Sequence, residues 1–371
     1  MTVFFGPTAR IVSVGFAILA SLNLVDAAEA GTASFTGLGF LNASYPSSTN
    51  PYVNADGTVV AGTSNYASEM SEAFLWTQSG GAVALGFVKR TNQSAAESIS
   101  GNGLVVGGNA SGSGSGEIPE IAFRWSEATG MEQLNDGRIG STVFGLNKNG
   151  AVLAGSDGEE AFRWVKGEKK AQLLGFLGIP SGSTSGYSFA NGMDSTGDYV
   201  VGSSSTTTQG QSEAYIWNGG MTGLGFPPSD TISSANGISG DSKTVVGYGR
   251  PTTLGINGET TAFYWTTLSG IQPRSAPAGL PYTIANAVNE HGTIIVGCAT
   301  ASTTQGVDDQ AIMWNNKGVP KTIAAIAAQN GLSTTGWTLT CATSVSASGK
   351  TIVGNGIDPD GHNEAWILQL P

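Results

Sequence analysis

The sequence predicts an all-β fold built from seven repeats. Three observations lead to this prediction. A turn followed by a β-branched strand recurs seven times, a strand that usually ends at Trp follows each copy, and the chain begins and ends with incomplete repeats. Glycine supplies 55 of the 371 residues and charged residues only 12%, about half the usual charged fraction. This composition favours short strands joined by tight turns.

The first repeated element is a turn that leads into an apolar strand and closes at glycine. Asn, Asp or Ser opens a type I turn, and Gly at the fourth position accepts a left-handed backbone conformation. Only Ser242 departs from this rule. The copies are NADGTVVAG (54–62), SGNGLVVGG (100–108), NKNGAVLAG (147–155), DSTGDYVVG (194–202), SGDSKTVVG (239–247), NEHGTIIVG (289–297) and SASGKTIVG (346–354). We take the closing glycines, or their equivalents, to be Gly62, Gly107, Gly155, Gly202, Gly247, Gly297 and Gly354.

The second repeated element is a short alternating strand, which predicts one buried and one exposed face. Its copies are AFLW (73–76), AFRW (122–125), AFRW (161–164), AYIW (214–217), AFYW (262–265), AIMW (311–314) and the degenerate AWIL (365–368). A Gly-Gly or Ser-Gly turn and a further apolar strand follow in most copies, as in GGAVALGF (80–87). We interpret the recurring Trp as core packing between repeats.

Four strands in each repeat of about 49 residues are typical of a propeller blade. TASFTGLGF (32–40) is a fourth strand with no blade before it, and AWILQL (365–370) is a third strand with no fourth after it. Pairing these ends closes a ring. The sequence therefore predicts one domain over 31–371, a seven-bladed β-propeller of four-stranded blades whose N-terminal strand completes the last blade. A parallel β-helix is the main alternative, but its rungs are shorter.

Residues 1–30 are predicted to be a secretory signal peptide. The apolar run 11–25 follows Arg10, and Ala28-Glu29-Ala30 provides the small residues of a cleavage site. A membrane anchor is the alternative, although this run is shorter than the roughly 20 residues of a spanning helix. We expect a secreted protein, extracellular or periplasmic, with no membrane span. An oxidising compartment would permit a Cys298–Cys341 disulfide, with two buried free thiols as the alternative.

The repeat resembles that of bacterial extracellular HAF-repeat proteins, since a turn of the form S-x-D-G-x-V-V-V-G is followed by a strand similar to E-A-F-R-W. The closing segment GWTLTCATSVSASGKTIVGNGIDPDGHNEAWILQLP (336–371) is similar to the carboxy-terminal end of that family. The resemblance covers residues 35–371. It implies a secreted repeat protein with a propeller fold, and it brings no catalytic residues that could be transferred.

The long connections between the second and third strands carry much of the acidic charge, and Arg250 is the one basic residue that opposes it there. In a propeller these loops share one face with the links between blades, and variable loops on a rigid scaffold often bind ligands. The candidate ligand-binding residues are Glu72, Glu160, Glu213, Asp308, Asp309 and Arg250. The glutamates recur, with Glu364, directly before the Ala of the third strand, so a structural role is the alternative.

A second candidate is the loop Asp358-Pro-Asp360-Gly-His362-Asn-Glu364. Asp358, Asp360 and Glu364 place oxygen ligands at i, i+2 and i+6 in a glycine-containing loop, a pattern that could hold calcium. The spacing is shorter than that of an EF-hand, and a solvated turn is the alternative. His291 and His362 are expected at opposite ends of the ring, so no Ser-His-Asp triad is indicated and no catalytic residue is assigned.

These observations predict a secreted binding or scaffold propeller that presents an acidic loop face to a glycan, a matrix component or a protein. The net charge of −11 and isoelectric point of 4.6 argue against nucleic acid as a partner. The alternative is a polysaccharide-active hydrolase or lyase that uses carboxylates on this face as acid and base. We consider an enzyme the weaker interpretation, and we expect a monomer, with calcium as the only candidate cofactor.

Overall fold

The structure is a computed structural model that describes residues 32–112, 118–134, 140–252, 259–302, 309–315 and 317–371. The predicted signal peptide and Asp308 lie outside the described residues. Strand β1 (Ser34–Gly37) comes first and belongs to the last blade. Blade 1 contains β2 (Ser48–Val53), β3 (Val59–Ala67), β4 (Met70–Thr77) and β5 (Gly81–Ala84). Blade 2 contains β6 (Gln93–Ile99), β7 (Val105–Gly112), β8 (Ile118–Ser126) and β9 (Gly130–Gln133). Blade 3 contains β10 (Thr142–Leu146), β11 (Val152–Ser156), β12 (Ala161–Val165) and β13 (Gln172–Leu173).

The remaining blades follow the same order. Blade 4 contains β14 (Ser188–Met193), β15 (Val200–Ser205), β16 (Ser212–Trp217) and β17 (Met221–Gly225). Blade 5 contains β18 (Ile232–Ile238), β19 (Val245–Arg250), β20 (Thr261–Thr266) and β21 (Gly270–Pro273). Blade 6 contains β22 (Tyr282–Val288), β23 (Ile295–Thr300), β24 (Gln310–Trp314) and β25 (Pro320–Thr322). Helix α1 (Ile323–Gln329) precedes blade 7, which contains β26 (Thr338–Val345), β27 (Thr351–Ile357) and β28 (Asn363–Gln369). Each blade is one antiparallel sheet of four strands. The protein is a seven-bladed β-propeller, as the sequence predicts.

Strand β1 completes blade 7 by pairing with β28, which gives the sheet order β1-β28-β27-β26. The Leu38 N–H donates to the Ala365 carbonyl at 2.8 Å, and the Ser34 hydroxyl donates to Gln369 at 3.0 Å. The Phe35 ring packs edge-on against Trp337, with ring centres 5.3 Å apart. The two ends of the chain therefore share one sheet, and the predicted closure of the ring is confirmed.

The hydrophobic core lies between the blades. Seven clusters of buried side chains are present in the described residues, and each draws on two neighbouring blades. The aromatic residue after the Ala of each third strand is fully buried in blades 1 to 5 and in blade 7. Trp76 and Trp217 are 6% exposed and Trp314 is fully buried, whereas Trp125, Trp164 and Trp265 are only partly buried. These large rings pack against the preceding blade, and this packing stabilises the ring of blades as a whole.

A β-bulge in the first strand of every blade explains why glycine closes the second strand. The register between first and second strands shifts in all seven blades, for example between Ala190 and Gly192. In blade 4 the shift brings the Phe189 carbonyl against Gly202, where an added Cβ would overlap the oxygen. In blade 2 the glycine in this position is Gly108, which faces the Ala95 carbonyl. The assignment of Gly107 from the sequence is therefore wrong by one residue, because two adjacent glycines follow the apolar run.

The short turns between first and second strands are joined in a closed circle. A backbone N–H in each turn donates to a carbonyl in the turn of the next blade, at 2.8 to 3.4 Å. The seven bonds are Ala55 to Gly101, Asn102 to Lys148, Lys148 to Ser195, Ser195 to Gly240, Asp241 to Glu290, Glu290 to Ala347 and Ala347 to Ala55. Each turn is itself fixed by its buried first residue. Asn54, for example, accepts the N–H groups of Thr58 and Val59 at 3.0 Å.

Polar side chains also join the inner strands of neighbouring blades. Asn191, Asn236 and Asn286 stand at the bulges and donate to carbonyls of the next blade at 2.8, 3.0 and 2.9 Å. Cys298 in β23 and Cys341 in β26 form a disulfide, with Cα atoms 4.7 Å apart, and the Asn286 amide lies against both sulfurs. The disulfide links blade 6 to blade 7, which is the blade that closes the ring. Of the two alternatives that the sequence left open, the structure contains the bridge.

Thr32–Pro371 forms one compact unit. Within the described part of the chain, no helix is long and apolar enough to cross a membrane.

The bulge makes a direct prediction about Gly202. Gly202→Ala places a methyl group on the Phe189 carbonyl, and we expect it to lower the free energy of unfolding by about 1–3 kcal/mol. Gly220→Ala is the matched control, because an added Cβ there meets nothing within 4 Å. Urea denaturation of both variants compares them, and equal midpoints would contradict the proposed role of the glycine.

Candidate functional site

The connections between second and third strands and the links between blades form one end of the propeller, which we call the loop face. The opposite end, formed by the turns between first and second strands and between third and fourth strands, is the turn face. Carboxylates of the loop face are present in every blade. Those in the described residues are Glu69, Glu72, Glu120, Asp157, Glu159, Glu160, Glu213, Asp230, Glu259, Asp309, Asp358, Asp360 and Glu364. Among the described lysines, only Lys89 belongs to this face, and the others lie in or beside turns of the turn face.

Four glutamates of the loop face occupy equivalent positions and make equivalent hydrogen bonds. Each carboxylate accepts the backbone N–H of a glycine that has positive φ and lies at the end of the fourth strand or just after it. The pairs are Glu72 with Gly86, Glu160 with Gly175, Glu213 with Gly225 and Glu364 with Gly39, all at 2.8 or 2.9 Å. Burial raises the pKa of Glu72 and of Glu364, although the glycine N–H groups lower it in part. These contacts support the structural interpretation, while the role of Glu72, Glu160 and Glu213 in ligand binding stays a prediction.

The remaining candidate ligand-binding residues lie in other blades. Arg250 ends β19 in blade 5, where its carbonyl accepts the Thr231 N–H, and it is partly buried. Asp309 directly precedes β24 in blade 6 and is partly buried. Because the predicted residues occur in blades 1, 3, 4, 5 and 6, they are distributed around the loop face.

The candidate metal site is a tight turn between β27 and β28. Ligand atoms of Asp358, Asp360 and His362 lie within 4.8 Å of one another. The buried Asp358 carboxylate accepts the N–H groups of Asp360 and His362 at 2.9 and 2.8 Å, and its other oxygen lies 3.1 Å from His362 Nδ1. Burial acts to raise the pKa of Asp358, but the hydrogen bonds and charge of His362 outweigh it and hold this pKa below its usual value.

Glu364, the third predicted calcium ligand, does not belong to this group. The Glu364 carboxylate accepts the N–H of Gly39, and the third member of the group is His362. Two carboxylates and an imidazole form a donor set that suits a transition metal as well as calcium. The internal hydrogen bonds of Asp358 equally suit a solvated turn, so calcium binding stays a prediction.

Asp230 is a feature of the loop face that no repeated motif indicated. It lies in the link between blades 4 and 5, where its Oδ2 atom is buried and has no hydrogen-bond partner among the described residues. Burial raises the pKa of Asp230 to about 6, and a hydrogen bond with Thr261 offsets part of this effect. The only clue in the sequence is an isolated Asp beside the two prolines at 227–228.

No known family profile matches the sequence, and no curated protein matches it significantly. Solved structures do resemble the fold. An oligogalacturonate lyase in complex with manganese has a TM-score of 0.54 and 11% identity, over 92% of this chain and 98% of that one. The β-propeller domain of the Trilobed protease from Pyrococcus furiosus has a TM-score of 0.54 and 10% identity, over 86% and 94%. A prolyl endopeptidase has a TM-score of 0.51 and 10% identity, over 87% of this chain and 47% of that one. The likeness shows the propeller fold alone.

The raised pKa of Asp230 predicts how stability depends on pH. The folded state holds the proton up to about pH 6, whereas the unfolded chain releases it near pH 4. Stability therefore falls as pH rises from about 4 to about 6. We expect Asp230→Asn to remove this part of the pH dependence and to be more stable than the wild type at pH 7.

Thermal unfolding from pH 4 to pH 7 measures this effect. Glu127→Gln, which neutralises an exposed carboxylate in the turn between β8 and β9, is the control and should follow the wild type. A wild type and an Asp230→Asn variant with parallel pH profiles would refute the assignment.

Proposed function

We propose that the protein is an exported binding or scaffold propeller of the HAF-repeat type. Its acidic loop face would bind a positively charged or calcium-bridged ligand outside the cytoplasm, such as a glycan, a matrix component or a basic protein. The observation that carries this proposal is the division of charge, with carboxylates in the loops of every blade and most lysines on the opposite face. Such a surface attracts cationic ligands and repels nucleic acid. The signal-like segment 1–30 supports export.

The positions of the three glutamates predicted to bind ligand favour binding over catalysis. Glycosidic cleavage needs two carboxyl groups about 5 to 10 Å apart on one substrate, whereas Glu72, Glu160 and Glu213 each cap a turn in a different blade. The fold of an oligogalacturonate lyase with manganese is similar, so a hydrolase or lyase remains the alternative that an activity assay must address. The cluster of Asp358, Asp360 and His362 is where a divalent cation would be held.

The first experiment applies the protein without residues 1–30 to three immobilised polysaccharides: cationic chitosan, neutral dextran and anionic polygalacturonate. Each column is run with calcium and with chelator, and both retention and released sugar are measured. We expect retention on chitosan that weakens with salt, and retention on polygalacturonate only with calcium. Released sugar would establish the enzymatic alternative, and no retention on any column would direct the search to a protein partner.

Two matched double variants locate the binding surface. Glu69→Gln with Glu159→Gln removes two exposed charges from the loop face, and Glu127→Gln with Asp198→Asn removes two from the turn face. We expect only the first pair to weaken retention on chitosan, and an equal effect of both pairs would contradict a specific role of the loop face.

Asp358→Asn tests whether calcium binds at the turn between β27 and β28. We expect this substitution to abolish any shift of the melting temperature that calcium produces in the wild type.

A further inference from the structure

A cleft of about 670 Å³ opens between blades 2 and 3, away from the loop face. Its walls include Arg124 from β8, Glu132 and Gln133 from β9, Trp164 from β12, and Glu168 and Lys169 from the loop after β12. The volume is within the range of small-ligand sites in proteins. Arg124 and Trp164 belong to the repeated AFxW strands, whereas Glu132, Gln133, Glu168 and Lys169 lie outside those strands.

A comparison with the next pair of blades shows what is different at this cleft. Arg124 and Arg163 hold the same position in AFRW, and the Nε of each donates to a glycine carbonyl in the turn of the following blade, Gly150 or Gly197. Arg163 also pairs with Asp198 at 3.8 Å. In the turn beside Arg124, the position equivalent to Asp198 is occupied by Ala151. Arg124 is 6% exposed and has no ion pair within 4 Å among the described residues.

The loop between β12 and β13 opens the cleft. It spans six residues, 166–171, whereas the corresponding loops of blades 1, 2, 4 and 5 span three. The Trp164 indole donates to the Glu168 carbonyl at 3.1 Å, which holds the loop beside the ring. Trp164 is partly exposed, unlike Trp217 in the next blade, which is 6% exposed. An aromatic surface therefore remains accessible next to charged groups.

The charges in the cleft select the class of ligand. Arg124 and Lys169 balance Glu132 and Glu168, so neither an anion nor a cation is favoured. Hydroxyl groups both donate and accept hydrogen bonds, and can therefore pair with a guanidinium and a carboxylate together. The C–H face of a sugar ring can pack on an indole, which combines an apolar surface with a polar edge. We propose that this cleft binds a neutral sugar residue, at a site separate from the loop face.

The test uses a panel of neutral methyl glycosides: glucoside, galactoside, mannoside, fucoside and N-acetylglucosaminide. Saturation-transfer NMR and tryptophan fluorescence measure their binding to the protein, and the methyl glycoside of galacturonic acid, with its carboxylate free, serves as the anionic comparison. We expect at least one neutral glycoside to bind, and the anionic galacturonic acid glycoside to bind more weakly. Trp164→Ala and Arg124→Met should each weaken binding about tenfold or more.

Arg163→Met is the matched control, because it removes the equivalent arginine from a junction without the cleft. Since Arg124 is buried, Glu132→Ala and Gln133→Ala are added as exposed substitutions that should reduce binding and leave the melting temperature unchanged. Absence of binding by the wild type, or equal effects of Arg124→Met and Arg163→Met, would overturn the proposal. The loop-face substitutions Glu69→Gln and Glu159→Gln should not affect these glycosides, so failure of either proposal can be recognised independently.

Discussion

The pairing of β1 with β28 places residues from the two ends of the described chain in one sheet, and it turns a row of seven blades into a ring. Each blade buries its hydrophobic side chains only against its neighbours, so an open row would leave two apolar surfaces exposed. Closure allows all seven interfaces to form at once. The circle of turn-to-turn hydrogen bonds and the Cys298–Cys341 disulfide act on the same interfaces.

Closure also explains which residues repeat and which do not. Positions near the axis are crowded, so each inner strand carries a bulge and a glycine faces it in the second strand. In four blades a glutamate repeats directly before the Ala of the third strand because its carboxylate accepts the N–H of a glycine at the end of the fourth strand or just after it. Residues that repeat are therefore mostly structural. Specific binding is expected where one blade differs from the others, as at the cleft beside Arg124.

Repetition made the fold predictable from the sequence and left the site largely unpredicted. Seven copies of the turn, the Trp strand and the two incomplete ends specify the blades and their closure, and an error of one residue at Gly107 arose only where two glycines adjoin. The cleft is lined by side chains from blades 2 and 3, and Asp230 lies against Gly249 and Thr261 of blade 5. The spacing of these residues along the chain does not show that they are close in the fold. The position of Glu364 was unpredictable for the same reason, since its carboxylate accepts the N–H of Gly39 from the other end of the chain, while His362 lies beside Asp358 and Asp360.

The most direct measurement concerns the closing strand. The Leu38 N–H donates to the Ala365 carbonyl. Hydrogen-bonded residue pairs recur at every second residue of an antiparallel pair, so the Thr36 N–H faces the Ile367 carbonyl in the same way. Thr36 is exposed, so Thr36→Pro removes a backbone hydrogen bond without disturbing the core. Thr32→Pro, just before β1, is the control. If closure stabilises the whole ring, Thr36→Pro should lower the urea midpoint of the single unfolding transition by the equivalent of about 2 kcal/mol or more. Equal midpoints for the two variants would contradict it.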